Sequence, residues 1–213
     1  VRYILLLILL CVPATGAEPF VRVYTYTNKD NLPDSRGSGV MVSHNQILTN
    51  FHVVRKRRKD RNSVAVRFSD GFRSWATVEV VNTDLDVSLI RTHPHTATPL
   101  EFGGIAKGIV TTHGFGYDYE FMTPQGEVGT NIRVNRNYKT NRLNTKPDPN
   151  GLFFQINGLP SRPGDSGAAV TMGGLLVGIV FGRGEATYCI HINPIQKWLT
   201  GKLMNAVAEK STD

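Results

Sequence analysis

The chain has 213 residues, enough for one substantial core or two smaller ones, with hydrophobic types at 40% and charged types at 19%. Its 21 glycines and 11 prolines, without collagen-like or heptad repeats, exclude fibrous and disordered classes and leave a turn-rich globular protein. Only Cys11 and Cys189 are present, which excludes a disulfide framework and any zinc site of several thiolates; 24 basic against 17 acidic residues give a net charge of +7.

Residues 1–17 (VRYILLLILLCVPATGA) have the layout of a secretory signal peptide. Arg2 supplies the positive charge, Tyr3–Val12 the apolar run and Pro13 its end, while Thr15 and Ala17 place small side chains three and one before a cut. The run is about half of what a bilayer-spanning helix needs, so a retained anchor, or a buried N-terminal element, is the weaker alternative. A secreted or periplasmic protein is therefore expected. Cleavage would remove Cys11, and Cys189 alone cannot close an intrachain bridge.

Helical periodicity is scarce between residues 18 and 193. Short β-branched and aromatic runs occur at Phe20–Tyr26, Gly39–Val42, Gln46–Thr49, Ser63–Phe68, Trp75–Val81, Val87–Ile90, Gly108–Thr111, Gly126–Val134, Leu152–Ile156, Ala168–Thr171, Leu175–Phe181 and Thr187–His191. Turn-forming residues such as Asn82–Asp84, Gly103–Gly104, Pro147–Gly151 and Gly173–Gly174 separate most of them. Twelve short strands without βα alternation predict an all-β barrel or sandwich. Phe51–Val54 fits one helical turn. Residues 194–209 form the good helix candidate, with Pro194 in the first turn and Ile195, Trp198, Leu199, Leu203, Ala206 and Val207 along one face.

The run Arg55–Arg61 (RKRRKDR) carries a local charge of +5, most of the excess of the whole chain. Charges this dense repel one another and stay in solvent, which makes a solvated hairpin tip the plain reading. The sharper one is a contact for a polyanion or membrane surface through Arg55, Lys56, Arg57, Arg58, Lys59 and Arg61. No aromatic residue interleaves the run, so neither a stacking surface for single strands nor sequence-specific nucleic-acid binding is expected. His93 and His95 alternate as on a strand, but two histidines without a clear third ligand do not make a metal site; no metal or cofactor is expected.

Three local patterns carry chemistry. Gly37-Ser38-Gly39 leads into a hairpin that ends Leu48-Thr49-Asn50-Phe51-His52-Val53-Val54; Asp86 directly precedes the apolar Val87–Ile90; and Gly164-Asp165-Ser166-Gly167 presents a serine between glycines. A serine hydroxyl is a poor nucleophile without an adjacent base. An imidazole can take its proton and return it to a leaving group, and a carboxylate holds that imidazole in one tautomer. The backbone N–H groups of Gly164 and Ser166 could converge on a developing oxyanion. Asp84 competes with Asp86 for the carboxylate role, and Asp86 is preferred because the apolar strand begins right after it.

In this order, the three patterns resemble those of the chymotrypsin/trypsin-like serine peptidases, especially the compact bacterial and viral members and the protease domains of bacterial heat-shock proteases. The resemblance covers about residues 36 to 200. It implies two packed six-stranded antiparallel β-barrels and a C-terminal helix, the first barrel (18–98) holding His52 and Asp86 and the second (99–193) holding Ser166. It implies a serine endopeptidase working through a Ser166–His52–Asp86 triad and an acyl-enzyme on protein or peptide substrates. A catalytically silent protease-like binding module is the alternative.

The same resemblance places the primary substrate pocket among Pro160, Val180, Phe181, Gly182, Arg183 and Thr187. No acid lies around Leu159–Ser161, which favours cleavage after a small or apolar residue; Arg183 could instead attract an acidic one. Substrate would add as an edge strand beside Val180–Gly182. The digestive members pair the counterpart of Asp165 with a newly cut N-terminus, and no Ile-Val-Gly-Gly exists in this sequence. Either the enzyme is active without such a cut, or Asp165 finds local donors.

Overall fold

The computed structural model describes residues 17–26, 33, 35–55, 63–116, 121–137, 142–159, 161–183 and 186–210, without the side chains at 136, 137, 142, 183 and 203–210. Of the segment read as a signal peptide, only Ala17 falls within them.

The first half comprises β1 (Phe20–Tyr26), β2 (Ser35–Ser43), β3 (Gln46–Asn50), the single-turn helix α1 (Phe51–Val54), β4 (Ser63–Phe68), β5 (Arg73–Asn82) and β6 (Val87–Arg91). The strands close into an antiparallel barrel in the order β1-β2-β3-β6-β5-β4. β4 alternates as a half-buried strand must: Val64, Val66 and Phe68 point inward while Ser63 and Arg67 face solvent. The first four residues of β1 and the last four of β3 are buried on both faces. The cause is a second layer. Val21, Val23 and Ile47 pack inside the barrel with Val64, Val66 and Ile90, whereas Phe20 and Leu48 pack with Phe153, Leu176 and Ile190 of the second half.

The second half comprises β7 (Ile109–Phe115), β8 (Phe121–Met122), β9 (Gln125–Asn137), β10 (Arg142–Pro147), β11 (Phe153–Asn157), β12 (Ala169–Met172), β13 (Leu175–Arg183) and β14 (Thr187–His191). It corrects the expectation of two six-stranded barrels. The second unit is an eight-stranded sheet, ordered β10-β9-β11-β14-β13-β12-β7-β8, with an additional pairing of β9 to β7. Two strands, β8 and β10, are not legible as apolar runs. β8 has two residues, and β10 (RLNTKP) pairs residue by residue with the far half of the 13-residue β9. Its ladder holds it there, and with Leu143 its one hydrophobic residue packed against the core, it leaves no apolar run in the sequence.

The chain passes from barrel to sheet over residues 92–108 along both layers: Leu100 N–H donates to Met41 O at 3.1 Å, and Gly103 N–H to Leu176 O at 2.7 Å. Helix α2 (Ile192–Lys210) closes the chain and buries Ile192, Ile195 and Leu199 in the core shared by the two layers.

Candidate active site

His52 sits on α1, whose first turn has an unusual cap. The Asn50 side chain makes no capping bond. Asp86 supplies the acceptors instead: its carbonyl takes the Phe51 N–H at 2.9 Å and its Oδ1 takes the His52 N–H at 2.8 Å. Asp86 Oδ2 meets His52 Nδ1 at 2.5 Å. One carboxylate thus fixes both the main chain and the ring of the histidine. An ionised carboxylate only accepts, so Nδ1 is the donor in this pair, and in the neutral ring the lone pair is on Nε2. The Asp86 side chain is 1% exposed and that of His52 14%. Asp86 adopts φ 54°, the left-handed region that costs a non-glycine residue roughly 1–2 kcal/mol, and the Asn50 Nδ2 bond to its carbonyl (3.0 Å) helps to hold it there. Asp84, the other candidate, lies exposed in the preceding turn, where Asn82 Oδ1 accepts from the N–H groups of Asp84 and Leu85.

Ser166 lies between β11 and β12 on a glycine-flanked turn. Asp165 N–H donates to Arg162 O at 3.1 Å with Pro163 and Gly164 (φ 101°) between, the pattern of a type II turn. Arg162 N–H donates to Asp165 Oδ2 at 2.6 Å, so Asp165 does have a local donor. Burial pushes the Asp165 carboxyl above its usual range, opposed in part by the Arg162 N–H bond and charge.

The serine turn is fastened to both layers. Ser38 N–H on β2 donates to Ser166 O at 2.8 Å, and Gly167 N–H donates to Val180 O on β13 at 2.8 Å. Gly37 shows how close the turn comes to the histidine helix. A methyl group there would lie 2.6 Å from a methyl of Val53, the neighbour of His52, and 2.9 Å from Ser166 O. A second bridge runs through Phe181, whose ring stands edge-on to His52 at 6.4 Å and packs on Phe153 at 5.2 Å.

The residues assigned to the substrate pocket divide. Val180 and Thr187 line a cavity of about 40 Å³ together with Leu159, Ser161 and, unforeseen from the sequence, Asp165. Thr187 Oγ1 donates to Leu159 O at 2.6 Å. Phe181 faces His52 instead. Beyond Val180, Phe181–Arg183 has β14 on one edge and no strand on the other among the described residues. Pro160 and the Arg183 side chain lie outside the described residues, as do all members of the basic run except Arg55, whose N–H donates to Phe51 O at 2.8 Å. His95, half of the pair weighed for metal, accepts from Ala97 N–H and meets Asp70 Oδ2 through its other nitrogen.

A carboxylate-held imidazole on one layer and a glycine-flanked serine turn fastened across from it equip a serine-type peptidase domain. Residues 37–179 match the family model described as the trypsin-like peptidase domain, and the chain belongs to that family. It is similar to the serine protease HTRA4 of Mus musculus (28% identical over 159 residues, 72% of this chain and 31% of the relative) and to serine protease HTR4 of Rattus norvegicus (27%, covering 72% and 30%). The chain thus spans about a third of the length of these curated relatives. Among solved structures, the active form of the Rv3671c protease from M. tuberculosis superposes with a TM-score of 0.70 at 22% identity, covering 86% of this chain and 81% of that one. The serine endoprotease from Yersinia pestis superposes at 0.65 and 21% identity, covering 92% and 65%. Similarity at these identities speaks for the fold.

Proposed function

We propose that the chain is a serine endopeptidase hydrolysing peptide bonds through Ser166, His52 and Asp86. The observation that carries this reading is the pair of hydrogen bonds from His52, main chain and ring, to the Asp86 carboxylate, which orients the ring and leaves Nε2 as the nitrogen available to act as base. Residues 18–98 supply base and acid in this reading, and residues 99–193 the nucleophile.

Ser166 Oγ attacks the scissile carbonyl carbon while its proton passes to His52 Nε2. The carbonyl oxygen becomes an oxyanion facing the N–H groups of Gly164 and Ser166, each worth about 3–4 kcal/mol of transition-state stabilisation. Collapse expels the amine, which takes the proton from Nε2 and leaves an ester on Ser166. Water repeats the sequence and releases the acid. Asp86 keeps its hydrogen bond to Nδ1 and supports the imidazolium. The edge of Phe181–Arg183 away from β14 suits an extended substrate strand, and the apolar wall of Leu159 and Val180 suits a small or apolar residue before the cut. Export rests on the pattern of residues 1–17, and a polyanion or membrane contact rests on the charge of Arg55–Arg61.

Peptide-library profiling of wild type against Ser166→Ala tests the reading. Cleavage after small or apolar residues, lost in the variant, is the expected result. A folded wild type that cleaves nothing, or a variant that cleaves as well, overturns it. Preference for acidic residues would move the specificity to Arg183.

A further inference from the structure

Ser38 is fully buried on β2 and spends every polar group on the same neighbourhood. Its N–H donates to Ser166 O at 2.8 Å and its carbonyl accepts from Thr49 Oγ1 at 2.7 Å. Its hydroxyl donates to Gly164 O at 2.9 Å and accepts from Phe115 N–H at 2.9 Å. The hydroxyl's direction is forced, because a backbone N–H can only donate and a carbonyl only accept. A single residue of the barrel therefore grips both ends of Gly164–Asp165–Ser166 and ties the grip to the end of β7 in the second sheet.

We infer that Ser38 is a positioning residue for the oxyanion-binding turn, and that its hydroxyl sets the placement of Gly164. This rests on the proposed serine-peptidase reading. The two anchors act on different atoms. The main-chain bond holds Ser166, and no side-chain substitution removes it. The hydroxyl bond holds Gly164, whose glycine backbone has little stiffness of its own. Without the hydroxyl, the segment pivots about its Ser166 end, and the Gly164 N–H moves further than the nucleophile does. The charge developing on the oxyanion loses support while the His52–Asp86 pair and the substrate edge of β13 are untouched. A displacement of about 1 Å at such a donor is enough for a rate loss of about 100-fold.

The test compares wild type, Ser38→Ala and Ser38→Cys, whose thiol is a weak donor and acceptor of nearly the same shape. Four quantities are read: kcat and KM on a cleaved peptide, inhibition by a peptidyl trifluoromethyl ketone carrying the same sequence, and the acidic limb of the kcat/KM pH profile. The ketone forms a tetrahedral adduct whose oxyanion needs the Gly164 donor. Ser38→Ala is expected to lower kcat about 10- to 100-fold with KM within about threefold, and to weaken the ketone in step. The acidic limb should stay in place, and Ser38→Cys should fall between the two. If Ser38→Ala does not fold, Ser38→Cys against wild type makes the same comparison. Variants that melt at lower temperature yet keep kcat and ketone affinity per folded molecule overturn the inference, since Ser38 would then only join the layers. So does a kcat loss accompanied by a shifted acidic limb, which would place the effect at His52. A folded wild type that neither cleaves nor binds the ketone instead overturns the peptidase reading on which the inference rests.

Discussion

Gly167 follows the serine and has φ 86°, and a methyl group on it would lie 2.1 Å from Ser38 O and 2.6 Å from Thr49 Oγ1. Two costs add in Gly167→Ala. The left-handed backbone costs an L-residue roughly 1–2 kcal/mol. Relieving the overlap means moving backbone rather than a flexible side-chain tip, at about 1–3 kcal/mol. The total, about 2–5 kcal/mol, is a large fraction of a typical domain's stability and corresponds to a drop in Tm on the order of 10 °C. Two controls separate the terms. Gly173 has φ 59° with nothing within 4 Å of its added methyl, so Gly173→Ala should lose only the backbone term. Gly104 has neither positive φ nor a neighbour within 4 Å, so Gly104→Ala should stay within about 0.5 kcal/mol of wild type. Urea unfolding of the three variants gives the comparison directly. Gly167→Ala no less stable than Gly173→Ala would show that the serine turn does not press on β2, and the account of how the two layers set the site would fail.

The buried ionisable groups give further expected outcomes. His113 stacks on Phe20 at 4.2 Å, and burial lowers its pKa to about 4. A depressed histidine favours folding while neutral, so this contribution is intact above pH 6.5 and lost as pH falls toward 4, on the order of 3 kcal/mol in all. His113→Phe keeps a stacked ring and should flatten stability over that window in urea titrations; an unchanged slope would refute the assignment. Asp165 is raised mainly by burial, so its ionisation opposes folding, and the penalty appears as pH rises past 3.8 through its raised value. Asp165→Asn should therefore gain in Tm relative to wild type between pH 3 and pH 7, and a relative loss over that range would contradict the reading. Cys189 is wholly buried with its thiol pushed well up. A thiol reagent at pH 8 should label it only after unfolding, and rapid labelling of the native protein would be the opposite result.

How much of the fold and site is legible in the sequence depends on what holds each part. Apolar runs mark strands with a buried face, and so locate β4, β6 and β13, but not β10, which is held by its ladder to β9. The preference for Asp86 over Asp84 comes from the apolar strand that begins after it, and in the structure Asp86 is buried against His52 while Asp84 stays exposed. The second six-stranded barrel is what the family resemblance implies, and a count of twelve strands does not contradict it, because β8 and β10 of the larger sheet leave no apolar run to count. Ser38 stands in view inside a Gly-Ser-Gly lead-in, yet its contacts with Gly164 and Phe115 are 126 and 77 residues away and leave no local pattern. Asp165 at the cavity wall escapes similarly, because the sequence points to a pocket six residues before the serine rather than beside it.

Reaction with a fluorophosphonate, with intact-mass measurement and peptide mapping of the product, tests the central claim most directly. One adduct per chain at Ser166, absent in Ser166→Ala and formed at least about 100-fold more slowly in His52→Ala, is the predicted result. An adduct on another residue, labelling that survives in Ser166→Ala, or a folded wild type that does not react would contradict it.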